Sequence, residues 1–137
     1  MVAMLGWLLL IFLPGWKWTA RFIAAGLLPL ALAVVYLILV ATHFGQSDGG
    51  FGSLAEVSQL FQNPHNLLAG WIHYLAFDLF IGAWEVRDAR KVGLHHLLVV
   101  PCLVLTFLLG PIGLLLYFGL RFVVKRKLLV GETDERA

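Results

Sequence analysis

Between Asn63 and Arg87 an otherwise apolar stretch carries His73, Asp78 and Glu85 at successive positions along a helix-length segment. An imidazole and a carboxyl group sheltered from water are a general acid–base pair in kind, because desolvation moves both groups toward neutral forms. Placed in a bilayer, such groups are expensive, about 2.5–3.5 kcal/mol for Asp at the centre of a span. A side chain retained at that cost is read first as a functional site facing other helices.

Helical geometry sorts these residues. At about 100° per residue, Asp78 and Glu85 are seven positions apart and stack on one face roughly 10 Å from each other. Trp71 and Tyr74 precede Asp78 by seven and four, so they share its stripe. Asn66 and His73 form a neighbouring stripe with Phe77, Phe80 and Trp84. His73 and Asp78 are about 140° apart around the axis, so each meets other helices before it meets its neighbour. Two roles follow from the residues alone: chemistry or ligand binding in a cavity, or hydrogen-bonded glue between helices.

The elements that hold this stripe are apolar throughout. Of 137 residues, 61% are hydrophobic and 13% charged, and mean hydropathy is +0.89. Soluble domains are about 45–50% apolar and about 25% charged. An all-α polytopic membrane protein is expected: one integral domain over residues 1–137, a four-helix transmembrane bundle whose last helix is kinked or broken. The expected spans are 2–14, 20–42, 64–86 and 94–124. The run MVAMLGWLLLIFLPGW lacks a basic leader and a small-residue cleavage site, so it reads as a retained first span. Pro29 should kink the second.

Residues 43–63 form a loop rich in Gly and Ser, followed by a short amphipathic helix. There Ser53 and Glu56 match a capping box, and Leu54, Val57, Leu60 and Phe61 recur at helical spacing. Asn63-Pro64 is a cap followed by proline at the first helical position. The stretch 94–124 contains Pro101 and Gly110-Pro111-Ile-Gly113; it reads as one kinked helix, with a broken or re-entrant pair as the alternative. The polar tail beyond Lys125 is expected to fray. Gly110 and Gly113 either allow close helix approach or line a substrate slot. Glu85 and Asp88 either belong to a solvated helix end or bind the polar end of a long lipid.

Other function classes are weaker. A net charge of +2 without a basic stripe excludes nucleic acid as an expected partner. The single cysteine, Cys102, allows no intrachain disulfide. His43, His65, His73, His95 and His96 show no i, i+4 pair, so a metal is not indicated and any metal or cofactor is unknown. Four straight spans would put Lys17, Arg21, Arg87, Arg90 and Lys91 on one side and Arg121, Lys125, Arg126 and Lys127 on the other. Positive-inside counting then nearly ties, and placing the uncharged-to-acidic loop outside leaves the basic tail outside as well.

The stretch Trp71 to Trp84, continued through Asp88, with Pro101-Cys102, Thr106-Phe107 and Gly110-Pro111-Ile-Gly113, resembles the abscisic acid-deficient-type membrane proteins of neoxanthin synthesis. Leu10 to Pro14 and Trp16-Lys17 resemble that family's first helix and loop. The resemblance implies a carotenoid or related long isoprenoid as substrate. It also implies an isomerisation in which an epoxide oxygen gains a proton while a neighbouring carbon loses one. Carried over to this chain, His73 and Asp78 are the catalytic candidates, base and acid. Trp71, Tyr74, Phe77, Glu85, Asp88, Gly110 and Gly113 are the substrate-binding candidates. Within the enzyme reading, oxidative modification of the same substrate class stands beside isomerisation, and two further alternatives stay open: a non-catalytic carotenoid or lipid binder, and a small proton- or cation-coupled transporter component. The expected partners are the bilayer, an isoprenoid ligand and a second copy of the chain, in a bacterial inner membrane.

Overall fold

The computed structural model describes residues 2–19, 22–23, 26–43, 45 and 48–126. Among them every regular element is helical: α1 (Val2–Phe12), α2 (Lys17–Thr19), α3 (Leu27–His43), α4 (Leu54–Leu60), α5 (Pro64–Lys91), α6 (His96–Leu109) and α7 (Pro111–Lys125). The expected fraying of the tail beyond Lys125 falls almost wholly on residues 127–137, outside the described ones, as do positions 20, 21, 24 and 25 of the second expected span.

Local chemistry sets the helix starts. Asn63 caps α5, its side chain accepting from the His65 amide at 2.9 Å, and Pro64 occupies the first helical position. Ser53 caps α4 by accepting from the Glu56 amide, and Glu56 reaches back to accept from the Gly52 amide at 3.1 Å. Gly26, at φ +86°, precedes a helix that starts at Leu27. Pro29 therefore lies in the first turn, where no intrahelical amide is needed, and the expected mid-span kink has no basis.

α5 is the central element. At 28 residues it is the one described helix long and apolar enough to cross a membrane, about 42 Å end to end. α1, α3 and α6 are shorter apolar helices. α3 packs antiparallel along one side of α5, with Pro29 and Leu30 beside Phe77 and Phe80, and Tyr36 against His73. α1 runs parallel to α5 on another side. Its Gly6 and Trp7 meet Leu79 and Gly82 so closely that a Cβ on Gly82 would lie 2.5 Å from the Trp7 ring.

Of the two readings of 94–124, the single kinked helix is corrected and the broken pair is what the structure has: two helices fold back on each other. Gly110, at φ +49° and ψ −98°, is in backbone space that only glycine occupies readily, and Pro111 begins the next helix. α7 then doubles back along α6 toward the end of α5. Four contacts fix its direction. Gly113 abuts the Thr106 backbone, Tyr117 and Arg121 reach Asp88, and the Lys125 amine lies beside Gly93 in the α5–α6 link. The α6–α7 tip is thus next to Asp78, about halfway along α5. Trp7, Leu10, Leu79, Ala83, Val86, Val99, Cys102, Leu103 and Tyr117 form the core, gathered between α1, the second half of α5 and the hairpin.

Candidate functional site

One face of α5 carries Tyr74, Asp78, Glu85 and Asp88, and the α6–α7 hairpin covers that face. Each of these side chains meets the hairpin at a different level. The Tyr74 hydroxyl donates to the Phe107 carbonyl at 2.9 Å and stands beside the Asp78 carboxyl one turn further on. Asp78 is partly buried against Gly110, where an added Cβ would come 3.1 Å from its Oδ1. Its Oδ2 is buried without a hydrogen-bond partner.

Glu85 is fully buried. Thr106 donates to its Oε1 at 2.9 Å, and its Oε2 has no hydrogen-bond partner. Thr106 can stand there because Gly113 on the facing helix has no side chain: a Cβ at Gly113 would fall 2.0 Å from the Thr106 nitrogen. At the end of the stripe Asp88 accepts from the Tyr117 hydroxyl at 2.6 Å and pairs with Arg121 Nε at 3.0 Å, both partners buried. A solvated helix end is therefore not what Asp88 and Glu85 form. They are interior groups tied to α6 and α7. Unpartnered buried acceptors each carry a desolvation penalty of about 1–3 kcal/mol, so the open oxygens of Asp78 and Glu85 mark where this interface departs from simple packing.

His73 is on a different face. It is exposed, its ring 5.4 Å from Tyr36 of α3 and 4.6 Å from Phe77. It borders a cavity of about 240 Å³ shared with Asn66, Gly70 and Phe61, under α4. The imidazole and the Asp78 carboxyl thus do not share a slot. The cause is the roughly 140° between them: α3 and α4 pack on one side, α6 and α7 on the other. Trp71 is exposed and stacks on Tyr74 at 5.6 Å. Both border an apolar groove of about 290 Å³ with Ala3, Met4, Leu75 and Phe107. Phe77 lines a separate groove of about 300 Å³ with Pro29, Leu30 and Phe80.

Among the described residues no group of three or more His, Cys, Asp or Glu is placed to hold a metal ion. His43 and His65 stack with centroids 3.9 Å apart, and His96 Nε2 lies 2.9 Å from the Ile11 carbonyl. Sequence reasoning did not single out Arg121 or Tyr117. The signal was available: Arg121 is a charge in the apolar run 112–124, subject to the same rule that singled out Asp78.

A family model described as ABA DEFICIENT 4-like matches residues 1–117. The chain belongs to the ABA DEFICIENT 4-like family. That family is linked to neoxanthin synthesis in the carotenoid and abscisic acid pathways. The matched span takes in α1 through Tyr117, and with it Tyr74, Asp78, Glu85, Asp88, Thr106 and the hairpin tip; Arg121 lies beyond it. No curated protein and no solved structure matches the sequence significantly.

Proposed function

We propose that this ABA DEFICIENT 4-like protein is a membrane-embedded enzyme that isomerises a carotenoid or related long isoprenoid in a bacterial inner membrane. Asp78 is its proton-handling group. The observation that carries this reading is the unpartnered, buried Oδ2 of Asp78, held beside the hairpin tip where the helix backbone is broken. Broken helices in membranes occur where they line a cavity or site.

Isomerisation without net redox change needs one proton delivered and one removed. In its acid form Asp78 gives its proton to an epoxide oxygen as the C–O bond opens. The carboxylate so formed takes a proton from the adjacent carbon, whose electron pair becomes the new double bond. Acid and base are then one residue, which suits a geometry that keeps His73 on another face. Tyr74 orients the carboxyl, and Trp71, Tyr74 and Phe107 offer an apolar wall for a polyene. Glu85 and Asp88 fix the hairpin that shapes the site. Support for a membrane setting comes from the outward apolar residues of every long helix, including Leu37 on α3, Leu97 on α6 and Leu115 and Val123 on α7, each more than 60% exposed.

The test is expression in carotenoid-producing cells followed by chromatography of the extracted pigments. A changed profile that disappears with Asp78→Asn, at equal protein level, is expected. Unchanged pigments with folded wild-type protein present would refute the enzyme reading. The open groove at Pro29, Leu30, Phe77 and Phe80 favours a second reading, a carotenoid or lipid binder, which predicts a co-purifying polyene left chemically unaltered.

A further inference from the structure

In a bilayer, the return of α7 along α6 decides where the charges of this chain lie. α5 ends in Arg87, Arg90 and Lys91; α7 ends in Lys125 and Arg126, with the Lys125 amine beside Gly93. The Ile11 carbonyl near the end of α1 meets His96 at the start of α6, so Lys17 follows at this same end. Arg121 is also here, paired with Asp88. Every described Lys and Arg is therefore at one end of the helix bundle. The opposite end, from His43 through α4 to His65, has Asp48 and Glu56 and no Lys or Arg. Trp16 and Trp18 are exposed at the cationic end, and the Lys17 amine lies 5.8 Å over the Trp18 ring. Indoles beside cations are the chemistry of a headgroup interface.

We propose that this cationic end is an interaction surface for the anionic phospholipid headgroups of one leaflet, and that α6–α7 dips to mid-depth and returns to that leaflet without crossing. The near-tie of straight-span counting disappears: the basic end faces the cytoplasm, and the loop with α4 lies on the other side. The inference rests on the membrane placement proposed above and not on the carotenoid chemistry. Lys17, Arg90, Lys91 and Arg126 are exposed and meet the headgroups directly.

Two measurements test it. In a Cys102→Ala background, single substitutions Asp48→Cys, His95→Cys and Arg126→Cys are treated with a membrane-impermeant maleimide in sealed right-side-out and inverted vesicles. His95→Cys and Arg126→Cys should react from the same face and Asp48→Cys from the opposite one. Reaction of Arg126→Cys with the face of Asp48→Cys would overturn the hairpin topology, and reaction of all three from one face would remove the membrane placement itself. In the second, spin-labelled phosphatidylglycerol should outcompete spin-labelled phosphatidylcholine at the reconstituted protein, by roughly fivefold for a lipid that meets one cation. The preference should fall toward unity with Arg90→Gln/Lys91→Gln/Arg126→Gln. Equal association of the two lipids with the wild type would overturn the headgroup surface. Neither readout depends on pigment conversion, so Asp78→Asn should leave both unchanged.

Discussion

Gly113→Ala is the sharpest perturbation of the candidate site, because it acts on the helix contact that seats Thr106. Its missing Cβ would stand 2.0 Å from the Thr106 nitrogen, 2.2 Å from the Thr106 hydroxyl and 2.5 Å from its Cα. Ordinary contact begins at 3.4 Å, so α6 and α7 must part by more than 1 Å. Overpacking of this kind costs about 1–3 kcal/mol. Parting the helices also carries the Thr106 hydroxyl away from Glu85, and leaving that buried acceptor unsatisfied costs about 1–3 kcal/mol more. A total destabilisation of about 3–5 kcal/mol is expected. Gly119→Ala is the internal control, because nothing lies within 4 Å of its Cβ position. In mid-helix it should stabilise by about 0.5–1 kcal/mol. Thermal unfolding of the purified protein in mild detergent, followed by circular dichroism, reads both. Alkylation of the buried Cys102 on the hairpin gives an independent measure, and should accelerate only in Gly113→Ala. If Gly113→Ala and Gly119→Ala melt together and protect Cys102 equally, the close α6–α7 contact is not what holds the site.

Three further outcomes follow from the same interface. Arg121→Met should destabilise by about 3–5 kcal/mol, because it strands the buried Asp88 carboxylate; adding Asp88→Asn should recover most of that loss in denaturant titration, and no recovery would mean the pair is not coupled. Thr106→Val should cost about 1–3 kcal/mol by removing the donor to Glu85, and much less in a Glu85→Leu background; equal costs in the two backgrounds would refute the contact. Gly82→Ala should push Trp7 off α5, since its Cβ would fall 2.5 Å from the indole ring. The expected cost is about 1–3 kcal/mol, with an altered tryptophan emission spectrum; an unchanged spectrum and midpoint would count against α1 packing there.

Much of this arrangement is visible in residue order. The Asn63-Pro64 start of α5 and the Ser53 cap of α4 are local hydrogen-bonding devices, so neighbouring residues suffice to foresee them. The common stripe of Tyr74, Asp78 and Glu85 follows from helical periodicity alone. The helix break at Gly110-Pro111 was present as a possibility, yet its consequence was not. A glycine permits φ +49°, but whether the chain then continues or returns depends on whether Gly113 can seat Thr106.

Composition and periodicity by themselves determined that this chain is helical, that apolar surface dominates it, and that carboxyl groups share one line on its longest helix. Those properties depend on side-chain type and on a fixed turn per residue, both local. Tertiary packing alone decided which line faces which partner. It set Asp88 on Arg121 and Tyr117, Glu85 on Thr106, and His73 away from Asp78. The reason is that a helix offers all its faces equally until neighbours choose among them. Here the choice rests on a hairpin that two small residues, Gly110 and Gly113, allow to close.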